Sequence, residues 1–126
     1  MARVTGLGGV FFKSDNPEKL YQWYEKNLGI PREPHGQGAT FRWKEADGSD
    51  AATAWAVFPK DTQYFDPSRA PFMLNYRVDD LDGLLKVLEA AGVQIDPKRE
   101  DCDFGRFAWI IDPDGNRIEL WEPPKK

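Results

Sequence analysis

If this chain does chemistry, a few side chains must carry it, and Glu119 stands first among them. It lies in Arg117-Ile118-Glu119-Leu120-Trp121, directly after Asp112-Pro113-Asp114-Gly115-Asn116. Asp114-Gly115 is a hairpin signal, because Gly adopts the positive φ that such turns demand. The alternation that follows puts Ile118 and Leu120 on one face and Arg117, Glu119 and Trp121 on the other. With Ile118 and Leu120 in a core, a carboxylate lies beside an indole, either at a site or on an exposed edge. Such a group could anchor a cationic ligand, act as a general base, or persist as a structural carboxylate paired with arginine. Buried without a cation, it would hold its proton more tightly, which suits acid–base work.

Other candidates follow from the same periodicity. Met73, Asn75 and Arg77 share one strand face, and Arg77 and Arg117 are the cations available to neutralise Glu119. Five Trp in 126 residues is a rich supply of flat apolar surface, which ligand pockets use for affinity. Trp23 and Trp55 read as core, Trp43 and Trp109 as core or pocket wall, and Trp121 as pocket. The single histidine, His35, sits in Pro34-His35-Gly36-Gln37-Gly38 and reads as a solvated loop residue without a metal-ligand spacing. With no second histidine, a nucleophile–histidine pair has no support. Cys102 lies between Asp101 and Asp103, whose charge opposes a reactive thiolate.

These residues need a scaffold, and composition allows one. A chain of 126 residues is one domain by length, with 40% apolar and 30% charged residues, as in an ordinary globular protein. The net charge of −4 and the absence of a basic stripe argue against nucleic acid. A lone cysteine excludes an internal disulfide and makes a reducing compartment the expectation. No apolar run resembles a signal peptide or reaches membrane-spanning length, so a cytoplasmic protein without membrane partners is expected.

The elements come in two similar sets. Val4 to Lys13 reads as a strand, and Asp15-Asn16-Pro17 opens a helix carrying Leu20, Trp23, Tyr24 and Leu28 to a C-cap at Gly29. Thr40–Trp43 and Ala51–Phe58 read as strands around the Glu45-Ala46-Asp47-Gly48 turn. The second set has a strand over Pro71–Val78 and a helix from Asp79-Asp80 with Leu81, Leu84, Leu85 and Leu88. Strands over Val93–Ile95, Phe104–Asp112 and Asn116–Glu122 follow. The helix caps repeat after 65 residues and the Asp-Gly turns after 67, as one small insertion would produce. The reading is one domain over 1–126, with module one at about 1–60, a linker at 59–70 and module two at about 71–124. Tyr64 and Phe65 make the linker a candidate lid or dimer contact.

Asp112-Pro113-Asp114-Gly115-Asn116 leading to Ile118-Glu119-Leu120, together with Ser14-Asp15-Asn16-Pro17, Trp23-Tyr24, Leu28-Gly29, Val78-Asp79-Asp80-Leu81 and Ala91-Gly92, resembles the vicinal oxygen chelate superfamily. That group contains glyoxalase I, extradiol dioxygenases, fosfomycin-resistance proteins and bleomycin-binding proteins. The resemblance implies an α+β fold of two tandem βαβββ modules, with curved mixed sheets around a cup-shaped cleft, helices outside, and a homodimer. It also implies up to four metal ligands, from the first and last strand of each module. Counted from the caps and turns, those positions are Gly8, Ala52, Met73 and Glu119, which leaves one oxygen donor. A shift of two residues offers Gly6 or Val10, Ala54 and Asn75 instead. Because an open catalytic metal site needs about three protein ligands, no metal cofactor is expected; a divalent ion through Glu119 is the minor alternative. Gly8, Ala52, Ala54 and Ala56 would leave the cup hollow. The preferred reading is a metal-free aromatic cup for a small organic ligand, lined by Trp43, Met73, Asn75, Arg77, Trp109, Arg117 and Trp121, with a sequestration or resistance role. The alternative is a lyase, isomerase or dioxygenase using Glu119 as base or metal ligand. A third reading is an interaction module that docks another protein through its aromatic surface.

Overall fold

The computed structural model describes residues 2–34 and 38–124, so the reading of His35 lies outside the described residues. Strand β1 (Val4–Ser14) leads into helix α1 (Pro17–Leu28), whose first turn is closed by Asn16 accepting from the Lys19 N–H at 3.1 Å. The helix stops at Gly29, where φ is +70°, a value Gly tolerates without a Cβ clash. Strands β2 (Ala39–Lys44) and β3 (Asp50–Pro59) complete module one. In module two, β4 (Phe72–Val78) precedes α2 (Leu81–Ala90), where Asp80 accepts from the Gly83 N–H at 3.0 Å. Strands β5 (Gln94–Cys102), β6 (Gly105–Ile111) and β7 (Arg117–Glu122) follow. The expected α+β class holds. Among the described residues no helix is long and apolar enough to cross a membrane.

All seven strands form one open, curved sheet in the order β2-β3-β1-β4-β7-β6-β5. The modules are wired alike. β1 lies parallel to β3 and β4 parallel to β7, while β2 and β6 run antiparallel to those last strands. β1 and β4 pair antiparallel at the seam, so the two expected sheets are continuous. Module one has βαββ order among the described residues, one strand fewer than the repeat predicts. β5 is much longer than Val93–Ile95. Its polar continuation pairs with β6 beyond a register shift between Ile95 and Arg99, and as an edge strand it needs no apolar alternation to announce it.

The helices cover one face of the sheet. α2 buries Leu81 and Leu85 against Val78, Ala108 and Leu120, with Leu84, Leu88 and Ile118 alongside, as their spacing predicts. α1 buries Tyr21, whose hydroxyl donates to the Val57 carbonyl at 3.2 Å and accepts from the Val57 N–H at 2.8 Å. Tyr21 and Tyr24 meet Trp55 edge-on, which makes Trp55 a packed residue. Trp23 was expected in the core but is 52% exposed. Two residues from Tyr21 is about 160° around a helix, so Trp23 points away from the face Tyr21 buries. On the other side of the sheet a cross-strand row runs Thr40–Ala54–Gly9–Asn75–Glu119–Trp109. That row forms the floor of the candidate site.

Candidate functional site

Glu119 owes its place to β7, a central strand whose alternate residues go to the helical core. Its carboxylate is 2% exposed, so the exposed-edge reading fails. β4 sets Asn75 directly beside it, and β6 sets Trp109 on the other side. Asn75 Nδ2 donates to Oε1 at 2.6 Å, and Trp109 Nε1 donates to Oε2 at 3.0 Å. A third donor is the Tyr64 hydroxyl, also on Oε2. Burial pushes the Tyr64 phenol well above its ordinary value, and the adjacent Glu119 carboxylate adds to that shift. All three donors are uncharged. The two arginines expected to neutralise Glu119 pair elsewhere, Arg77 with Glu45 at 2.6 Å and Arg117 with Asp96 at 3.4 Å. Register explains this for Arg77, because it lies opposite Trp121, one same-face step along the strand from Glu119.

One end of the cup is filled by the protein's own linker. Phe65 is fully buried with Met73 and Trp109, and Phe11, Phe58, Tyr64 and Phe107 pack around them. Tyr64 stacks on Phe58 with ring centres 5.6 Å apart and meets Trp109 edge-on. Arg117 holds this end from below. Its Nη1 donates to the Tyr64 carbonyl at 2.6 Å, and its guanidinium lies 4.9 Å from the centre of the Trp109 ring. Lys98 lies 5.0 Å from the same ring, and Lys13 lies 5.3 Å from the Phe65 ring. Tyr64 and Phe65 were absent from the expected lining. Their signal in the sequence was an aromatic pair inside a proline-flanked linker, which names no target surface.

The other end is open. Trp121 is half-buried, stacks on Phe107 with centres 6.2 Å apart, and donates from Nε1 to the Phe104 carbonyl at 2.7 Å. Arg77 lies over the Trp121 ring at 5.6 Å and lines a polar cleft of about 610 Å³ with Thr5, Glu45, Asp50 and Glu122. Ala54, in the same row as Glu119, is exposed. Gly8 and Asn75 are fitted to one another, since a Cβ at Gly8 would overlap Asn75 Oδ1 and come within 3.0 Å of Trp121 Cε3. Among the described residues, no donor reaches that buried Oδ1. Met73, Asn75, Arg77, Trp109, Arg117 and Trp121 therefore gather along one face. Trp43 lies farther out on β2, opposite Ala51; it donates to Thr53 Oγ1 at 2.9 Å, and its ring covers Gly6, the residue paired with Arg77.

The cross-strand row through Glu119 passes through Asn75, Gly9 and Ala54, the last two separated from Gly8 and Ala52 by a register shift in β1 and one same-face step in β3. A Cβ on Gly8 would also point at Asn75 and Trp121. A divalent ion does not fit this donor set. Asn75 offers Glu119 its N–H side, and Oε2 is already shared by an N–H and an O–H. Gly9 and Ala54 supply no donor, and among the described residues no three His, Cys, Asp or Glu converge.

Comparison with known proteins matches this architecture. The family profile described as Glyoxalase/Bleomycin resistance protein/Dioxygenase superfamily covers residues 7–120. No curated protein matches in sequence. Among solved structures, methylmalonyl-CoA epimerase from Mycobacterium tuberculosis is 25% identical, with a TM-score of 0.63 over 97% of this chain and 90% of that one. A Streptomyces coelicolor methylmalonyl-CoA epimerase variant in complex with 2-nitronate-propionyl-CoA is 15% identical, with a TM-score of 0.68 over 98% and 100% of the two chains. A superfamily member from Vibrio splendidus 12B01 is 15% identical, with a TM-score of 0.59 over 97% and 99%. These likenesses establish the fold, and the profile match spans nearly the whole chain. The protein belongs to the glyoxalase/bleomycin resistance protein/dioxygenase superfamily.

Proposed function

We propose that this chain binds a small organic ligand in a metal-free aromatic cup on the β4–β7 face, and that the ligand enters from the Trp121 end. The observation that carries this reading is the environment of Glu119, a fully buried carboxylate held by three uncharged donors where an ion would need oxygens. Trp121 and Phe107 supply stacked surface, Ala54 is exposed in the row that contains Glu119, and Arg77 lies over the Trp121 ring at the edge of a polar cleft. A sequestration or resistance role is the physiological form of such binding. Homodimerisation and a cytoplasmic location accompany this reading as proposals. The test is a tryptophan-fluorescence titration of chelator-treated protein against a library of aromatic metabolites and antibiotics. Saturable quenching without metal, weakened at least tenfold in Trp121→Ala, is the expected result. Binding that appears only after a divalent ion is added, or stoichiometric metal that survives dialysis, would overturn it.

A second reading is proton-transfer catalysis at Glu119. It is favoured by the contact between that buried carboxylate and the Tyr64 hydroxyl, a base and a hydrogen-bond donor set side by side. Turnover of the bound ligand, abolished in Glu119→Gln with binding retained, would establish it.

A further inference from the structure

The cup at Glu119 already holds a molecule-like guest, the Tyr64 side chain. Its flat ring lies parallel to Phe58, within 3°, and meets the edge of Trp109, and its hydroxyl is received by Glu119 Oε2. Few bonds tie this guest to the cup. The linker's turns close on themselves, with the Asp66 N–H on the Gln63 carbonyl at 3.1 Å and the Ser68 N–H on the Phe65 carbonyl at 2.9 Å. Those bonds would survive an outward swing of the segment. What a swing loses is the hydroxyl on Glu119, the Arg117 bond to the Tyr64 carbonyl, and the burial of Phe65. A flat ring entering the vacated slot would restore most of that packing. The carboxylate left behind sets a second requirement. Glu119 Oε2 loses a donor. A buried carboxylate oxygen left short of a donor beside an aromatic slot selects an aromatic ring that brings its own hydroxyl.

We propose that the Tyr64–Phe65 segment is a displaceable internal ligand, and that the cup's external ligand is a hydroxyarene that takes the place of the Tyr64 phenol. This rests on the cup reading above and names its ligand class. It also gives the linker a function: the slot beside Glu119, at the inner end of the cup, is closed until a competitor with the same chemistry displaces the plug.

The experiment uses 2-naphthol and naphthalene as probes, with calorimetry for affinity and hydrogen exchange over residues 60–68 for the plug. Wild-type protein is expected to bind 2-naphthol about tenfold tighter than naphthalene, the difference one hydrogen bond to a carboxylate makes. Tyr64→Phe keeps the ring but loses the competing hydroxyl, and should bind 2-naphthol several-fold tighter. Bound 2-naphthol should speed exchange across 60–68. Wild-type binding of 2-naphthol that leaves exchange over 60–68 unchanged, and that is lost in Trp121→Ala, would overturn the plug and leave the cup reading standing. Failure of both wild type and Tyr64→Phe to bind 2-naphthol would overturn the ligand class, whereas failure of the whole library would overturn the cup itself.

Discussion

At the scale of single residues, the site depends on a mutual fit between a glycine and an amide. Gly8 has no Cβ, so Asn75 can place Oδ1 against the β1 backbone while Nδ2 reaches Glu119. Gly8→Ala should therefore push Asn75 off Glu119 and destabilise the fold by about 1–3 kcal/mol, the usual cost of overpacking. Urea denaturation checks this, and Gly8→Ala combined with Asn75→Ala should lose less than the sum of the two single variants, because the methyl no longer meets Oδ1 and only its 3.0 Å approach to Trp121 Cε3 remains. An unchanged midpoint in Gly8→Ala would mean that the amide is not held as described. The carboxylate at 119 was legible from alternation alone. Its partners were not, because a period of two assigns a face but does not say which neighbour lies one strand away.

At the scale of elements, the turn that delivers β7 matters most. Asp112 accepts from the backbone N–H groups of Asp114 and Asn116, both at 2.9 Å, and from Asn116 Nδ2 at 3.0 Å. These bonds, the Asn116 side chain foremost, hold the Asp112 carboxyl below its ordinary value of 3.8. A folded-state value below the unfolded one means the stabilisation is complete above pH 3.8 and is lost as the pH falls through the folded value. Asp112→Ala should accordingly lower Tm at pH 7, while at pH 3 the gap between variant and wild type should narrow. Thermal scans at the two pH values decide it, and a gap that does not narrow in acid would contradict the mechanism. The turn and both helix starts were readable because Asp, Asn, Pro and Gly act through their own local backbone bonds. The burial of Trp23 and the length of β5 were misread because each depends on what packs against the element.

At the scale of the whole molecule, the docked linker bridges the two modules. Phe65 touches Phe58 from module one, with ring centres 5.2 Å apart, and is buried with Met73 and Trp109 from module two. The β1–β4 seam makes the same connection through backbone pairing. Unfolding should thus be a single transition, with circular dichroism and tryptophan fluorescence coincident in urea. Phe65→Ala should cost about 3–5 kcal/mol, as for a buried aromatic truncated to a methyl. Separate transitions by the two probes would show that the seam and linker do not couple the halves.

The sequence by itself determined the repeat, the α+β class, the helix caps, the hairpin before β7 and the face on which Glu119 lies. All of these follow from periodicity or from side chains that bond their own backbone. Only the tertiary structure decided that Glu119 answers to Tyr64, Asn75 and Trp109 rather than to arginine, that β1 carries a register shift beside Asn75, and that the linker fills one end of the expected hollow. Those outcomes turn on strand register and on where a loop docks, and both are settled by contacts between residues 44 and 55 positions apart in the chain.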